Sequence, residues 1–191
     1  MFLKIKDYLR DKLKNYLGLS EINNQIDQLK FLNGKILIEN IIDTTKLNDC
    51  DTGVYSQAEE DSVIQLLISK INIKNKTFFE LGCSNYVESN TRYLALNDKW
   101  QGLIVDGSLK NINDIKKSYY YWKLPLNAKQ YFITKENIIK ILSQYSKEKK
   151  FGLLSIDLDG NDYWILKEII SSNYSFDIII CEYNSLLGSL D

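Results

Sequence analysis

Phe78-Phe79-Glu80-Leu81-Gly82-Cys83-Ser84 is an apolar run that stops at a glycine, with one acid inside it. Thr77 to Leu81 is short and rich in aromatics, which suits a buried strand, and Gly82 lets the backbone leave that strand by a tight turn. The same form recurs downstream. Leu103-Ile104-Val105-Asp106-Gly107 closes a strand over Gly102 to Asp106. Ser155-Ile156-Asp157-Leu158-Asp159-Gly160-Asn161-Asp162 closes another over Gly152 to Asp157. Ile180-Cys181-Glu182-Tyr183-Asn184 closes the most apolar one, Phe176 to Glu182. Tyr119 to Leu124, with β-favouring aromatics, reads as the remaining strand and leads to Pro125-Leu126-Asn127-Ala128.

Helical spacing fills the gaps, at Ser62 to Ile71, Ser89 to Asn97, Asn111 to Lys117, Lys135 to Gln144 and Tyr163 to Ser171. Strands that alternate with helices imply right-handed crossovers and a doubly wound, mostly parallel α/β sheet. Ligands of such sheets bind beyond the carboxyl ends of the strands, where this chain puts its unusual polar residues.

The chain divides near residue 47. Residues 1–47 read as a helical extension and residues 48–191 as the α/β core. Phe2, Ile5, Leu9, Leu13 and Tyr16 recur at helical spacing before Gly18 breaks the pattern. Leu19, Ile22, Ile26, Leu29, Leu32 and Ile36 then follow, with the early alternation of three and four that marks a coiled-coil seam. Two to three heptads are too few for an independent coil. The run reads either as a docking helix that joins two copies or as a cap packed on its own chain. Lys4, Lys6, Lys12 and Lys14 on the polar face of the first helix suit peripheral contact with a membrane.

Composition removes several classes of chemistry. The 191 residues carry 24 basic and 25 acidic side chains, so no basic excess points to nucleic acid. Histidine is absent, which excludes a Ser-His-Asp triad and any histidine-ligated metal. Cys50, Cys83 and Cys181 form no CxxC pair and no disulfide framework; a reduced cytoplasmic setting is the default. A metal would need oxygen ligands, hence Mg, Mn or Ca. No apolar run reaches the roughly 18 residues of a membrane span.

The strand ends have physical jobs in a nucleoside-binding sheet. Asp106 lies 24 residues beyond Gly82, near the spacing of about 20 at which a strand-end acid meets ribose hydroxyls. The first loop has one glycine instead of G-x-G-x-x-G. A pyrophosphate needs close backbone approach and a helix N-terminus, so the single glycine favours a phosphate-free nucleoside cofactor over NAD.

Phe79-Glu80-Leu81-Gly82-Cys83-Ser84 resembles the first cofactor motif of class I, Rossmann-like S-adenosylmethionine-dependent methyltransferases, and Asp106 resembles their acidic second motif. The wider set resembles FkbM-like and capsule polysaccharide methyltransferases. It comprises Tyr55-Ser56-Gln57 with Glu60-Asp61, Asn90-Thr91-Arg92, Trp100-Gln101-Gly102-Leu103, the Asp157 to Asp162 loop and Cys181-Glu182-Tyr183-Asn184. The resemblance implies that Glu80 and Gly82 contact the methionyl part of the cofactor, that Asp106 with Gly107 binds the ribose, and that Asn127 and Ala128 flank the adenine. It implies that Ser56 and Gln57 close over the cofactor, that Asp157 and Asp159 face the methyl-transfer centre, and that Asn90, Glu182 and Asn184 meet the substrate. The expected products are S-adenosylhomocysteine and a methylated acceptor, by resemblance an O-methylated sugar or surface-glycan intermediate. An N-methyltransferase on a small metabolite, an NAD or nucleotide-sugar protein and a non-catalytic partner subunit are the competing readings. The sequence departs from the family in lacking the second glycine of the first motif. A complete sheet of this class also adds antiparallel sixth and seventh strands after Tyr183, so the C-terminal strands are expected to be missing here.

Each polar group also has a plainer use. Asp106 suits the cap of the helix that follows. One of Asp157, Asp159 and Asp162 should hold the turn before Tyr163, and the others are the candidates for a general base or a hard-cation ligand. Glu182 and Asn184 suit pairing at a buried strand end, and Tyr119-Tyr120-Tyr121-Trp122 suits core packing.

Overall fold

The computed structural model describes residues 12, 13, 16–44, 46–146 and 148–183. Five strands, β1 (Thr77–Leu81), β2 (Gln101–Asp106), β3 (Leu126–Gln130), β4 (Lys150–Ile156) and β5 (Ser175–Cys181), form one sheet in the order β3-β2-β1-β4-β5. Every pairing is parallel. The helices are α1 (Leu19–Ile42), α2 (Glu60–Lys70), α3 (Arg92–Asn97), α4 (Leu109–Lys117), α5 (Ile138–Tyr145) and α6 (Asp162–Ile170). This is the Rossmann-like α/β fold that the alternation of elements implies, with a helical N-terminal region.

Alternation along each strand builds two apolar layers. Phe78, Ile104, Leu153 and Ile178 face one way and pack with Ile64 of α2, Leu94 and Ala95 of α3, and Ile112 and Ile115 of α4. Phe79, Leu81, Leu103, Val105, Leu154 and Ile156 face the other way, against α5 and α6. A third cluster lies outside this sandwich, where Ile38 and Ile41 of α1 meet Val54, Tyr55, Leu66 and Tyr93.

Helix α1 settles one of the two readings of the extension: it is a cap packed on its own chain. Its inward face runs Asn24, Asp27, Phe31, Gly34, Ile38 and Ile41, all buried or half-buried. That face is itself a seam of alternating three and four. Gly34 is needed there, because a Cβ would come within 2.6 Å of a Val54 methyl. Polar contacts lock the helix down. Arg92 is buried, and its Nη2 donates to Asp27 at 2.7 Å. Its guanidinium lies between the rings of Tyr55 and Tyr120, 4.2 and 4.4 Å from their centroids. Tyr119 donates a second bond to Asp27 at 2.6 Å. Of the first predicted helix, Phe2, Ile5 and Leu9 lie outside the described residues, as do Lys4, Lys6 and Lys14; Leu13 and Tyr16 are exposed.

One strand falls elsewhere than the sequence predicts. Tyr119 to Leu124 is no strand. Tyr121–Lys123 is a 3-10 turn, and the strand is Leu126–Gln130. The aromatics are drawn off by tertiary contacts, Tyr119 and Tyr120 to the Asp27–Arg92 lock and the Tyr121 hydroxyl to the Ala128 N–H. Among the described residues β3 is an edge strand, and only Ala128 of it is fully buried, so its apolar signal is weak.

Candidate functional site

Two adjoining cavities of about 390 and 460 Å³ open above the carboxyl ends of the strands, and both are lined by Gln57, Gly82, Ser84 and Asp157. They sit where β1 and β4 meet, the point at which the strand order reverses and where open α/β sheets bind their ligands. The turn out of β1 makes the floor. Gly82 has φ +88°, and a Cβ there would collide with the Asp157 carbonyl. The requirement for glycine is therefore partly internal: β1 and β4 approach too closely for a side chain. The Gly82 and Cys83 N–H groups donate to the Val105 carbonyl, and Asp157 N–H donates to Leu81.

Glu80 is buried, and its carboxylate is already engaged. It accepts from the Ser89 hydroxyl at 2.7 and 2.9 Å, from Asn90 N–H at 3.1 Å and from the Thr91 hydroxyl. Burial pushes its pKa up, and these hydrogen bonds oppose that rise. Glu80 thus organises the loop ahead of α3, which begins at Arg92 and not at Ser89 because residues 89–91 wrap around this carboxylate. Asn90, held there, lines the first cavity and donates to Ser155 at 3.1 Å.

Asp61 plays the matching part on the other wall. It is buried, with its carboxylate accepting from the N–H groups of Val54, Tyr55 and Ser56 and from the Ser56 hydroxyl. Ser56 is therefore committed to its own loop, whereas Gln57 reaches the cleft and donates to Glu88 at 2.8 Å. The sequence marks Asp61 only as one of a pair of acids, and its work is done by a loop that closes back on it.

Asp106 ends β2 at the second cavity. Its Oδ1 accepts from Ser108 N–H at 2.7 Å and from Asn111 at 3.0 Å. One oxygen of Asp106 braces the start of α4, and the residue lines the cleft beside Gly107. The helix cap itself is Ser108. Asn127 and Ala128, expected to flank an adenine, are not in the cleft. They lie inside β3, paired with Leu103 and Ile104, because the strand runs on to Gln130. The cleft on this side is lined by Tyr131, Phe132 and Ile133, with Phe132 strongly exposed. Placing the strand at Leu126 to Gln130 would have found them.

The far side of the second cavity is acidic. Oxygens of Asp157, Asp159 and Glu182 lie within 4.8 Å of one another. Asp157 is pushed up to about 7, first by desolvation, then by a hydrogen bond and charge repulsion from Glu182, with Asp159 and Asp162 adding to it. Asp162 is the structural member of the loop, buried and accepting from Leu158 N–H at 2.7 Å and Gly160 N–H at 2.9 Å. Three converging carboxylates can share a proton or hold a hard cation such as Mg or Mn. Asn184 lies outside the described residues.

No described residue lining either cavity is a lysine or an arginine. Nor does a helix start directly after Gly82, since residues 83–91 intervene before α3. A lysine or arginine and a helix N-terminus directly after β1, two devices that usually hold a pyrophosphate in such a sheet, are thus both missing from this cleft as described. Compared with family models, with curated proteins and with solved structures, the chain finds no match.

Proposed function

We propose that this chain is an S-adenosylmethionine-dependent methyltransferase. The observation that carries the reading is the charge of the cleft. It lies at the nucleoside-binding point of a parallel sheet, has a strand-end acid for ribose, and is lined by carboxylates with no cation among the described residues. Such a site suits a ligand that brings its own positive charge and no phosphate, as a sulfonium nucleoside does. It counts against NAD and nucleotide sugars, whose pyrophosphate would face uncompensated acids.

In this reading Asp106 accepts from the ribose hydroxyls and Phe132 with Tyr131 offers an aromatic face to the base. The loops held by Glu80 and Asp61 shape the end of the cleft that takes the amino-acid part. The acceptor enters beside Asp157. A bound sulfonium nucleoside would supply the methyl group, its sulfur keeping the electron pair of the broken carbon–sulfur bond, and Asp157 would take the proton of the attacking hydroxyl. Asp159 and Glu182 raise the basicity of Asp157, and the same oxygens would accept Mg or Mn if the acceptor needs one. The substrate class, a sugar or surface-glycan hydroxyl, rests on resemblance alone; the acidic cleft adds that the part of the acceptor entering it is not anionic.

Calorimetric titration with S-adenosylhomocysteine is the test, with NAD as control and Asp106→Ala beside the wild type. Micromolar binding that the variant loses by tenfold or more supports the reading. Tight binding of NAD in place of the nucleoside would overturn it.

A further inference from the structure

Helix α1 carries two seams, and among the described residues only one of them is packed against the core. The inward seam, Asn24 to Ile41, is docked on the core. The outward one, Leu19, Ile22, Ile26, Leu29 and Ile36 with Leu32 beside it, is between 38% and 65% exposed. The two are offset by two residues, about 200° around a helix, so they occupy opposite faces. An apolar stripe this long is not what a lone surface helix presents; its outer face should be polar.

We propose that the outward seam of α1 pairs with the same seam of a second copy, in a parallel, in-register two-helix interface. Leu19, Ile26 and Asn33 alternate with Ile22, Leu29 and Ile36 as the two core positions of a heptad. Asn33 is the one polar member. In a parallel pair in register it faces Asn33 of the partner, and an amide is its own complement, with donor and acceptor together. A single asparagine at this kind of position fixes register and two-chain pairing. An apolar groove on an unlike protein or a lipid phase would leave that amide unmatched.

Charge points the same way. Glu21, Lys30, Lys35 and Glu39 cancel along the exposed helix, so it lacks the basic face that draws a helix to anionic lipid. The surface suffices as well. Six large apolar side chains, each roughly half exposed, offer about 600 Å², the lower end of what each partner gives to a standard interface. Two to three heptads are too short for a free coil, but α1 is already ordered by its docked face, so pairing need not supply the ordering entropy.

Light scattering after size exclusion reads the outcome. The wild type, of 22.3 kDa per chain, should run at the mass of two chains. Ile22→Asp with Leu29→Asp should run as one chain with its thermal unfolding cooperative, since both residues are exposed on the outward seam. Ile26→Cys should cross-link chain to chain under mild oxidation while the wild type, with Cys50, Cys83 and Cys181, does not. A wild type of single-chain mass, or a double variant that stays paired, overturns the proposal. Failure of Ile26→Cys to cross-link in a two-chain species overturns the parallel register. None of these readouts depends on cofactor binding.

Discussion

Asp157 sits where β4 runs out, and its carboxyl answers to three neighbouring acids. A base must be ionised to take a proton. Methyl transfer should therefore rise with pH and level off above a midpoint near 7, the value to which Asp157 is pushed. Asp157→Asn should flatten that profile and lower kcat by about 10²–10⁴. A profile unchanged in the variant would remove Asp157 from the reaction. Addition of Mg or Mn should move the midpoint down if the three carboxylates hold the ion, and leave it in place if they share only a proton. The same shift has a stability consequence. The native carboxyl keeps its proton up to about 7, whereas the unfolded chain releases it near the ordinary aspartate value of 3.8. Its contribution is thus fully present at low pH and is lost as pH rises through 7. Urea unfolding between pH 4 and 7 should show the wild type losing stability relative to Asp157→Asn. Gly82 permits a second residue-level test. Alanine would need both an unfavourable positive φ and room that the Asp157 carbonyl occupies. Gly82→Ala should cost about 3 kcal/mol in urea unfolding and weaken nucleoside binding with it.

Among the elements, β1, β2, β4 and β5 were legible because each is a run of apolar residues that ends on a polar one, and buried parallel strands have no other way to be written. β3 was not, because an edge strand with one fully buried residue, Ala128, has no such run, while Tyr119 to Trp122 offers a stronger local β signal that tertiary contacts override. The consequence falls on the site, because the residues that line the cleft after β3 are Tyr131, Phe132 and Ile133, and not Asn127 and Ala128. Nor could the sequence pair Asp27 with Arg92, 65 residues apart, or send both oxygens of Asp61 back to residues 54–56, since no periodicity encodes a single long-range contact. That ion pair decides how α1 is held. Arg92 is buried and Asp27 nearly so, and removing one partner leaves the other charge stranded. Asp27→Ala should cost about 3 kcal/mol and speed hydrogen exchange across α1 more than across the sheet. Asp27→Met with Arg92→Met should recover most of that loss, because the stranded charge is gone. Equal exchange in α1 and the sheet after Asp27→Ala would mean that the apolar seam alone docks the helix.

At the scale of the molecule the formal charge is only -1, so the acidity of the cleft comes from arrangement and not from composition. Glu60, Glu80, Glu88 and Asp157 line one cavity, and Asp106, Asp157, Asp159 and Glu182 the other, while the described lysines and arginines lie off both linings. The sheet accounts for this. Parallel strands deliver all their carboxyl ends to one edge, and this chain writes an acid at the end of β2, β4 and β5. A field built in that way discriminates by ligand charge before it discriminates by shape. S-adenosylmethionine and S-adenosylhomocysteine differ by one methyl and one positive charge, which makes them a direct probe of it. The sulfonium should bind several-fold more tightly than the thioether at low ionic strength, and the difference should shrink towards ~0.15 M salt, where screening acts over about 8 Å. Titration of both ligands across a salt series measures this. Two affinities that coincide at every salt concentration would mean that the carboxylates are neutralised in the resting site, by shared protons or by a bound cation, and that the cleft recognises the nucleoside through Asp106 and the aromatic wall alone.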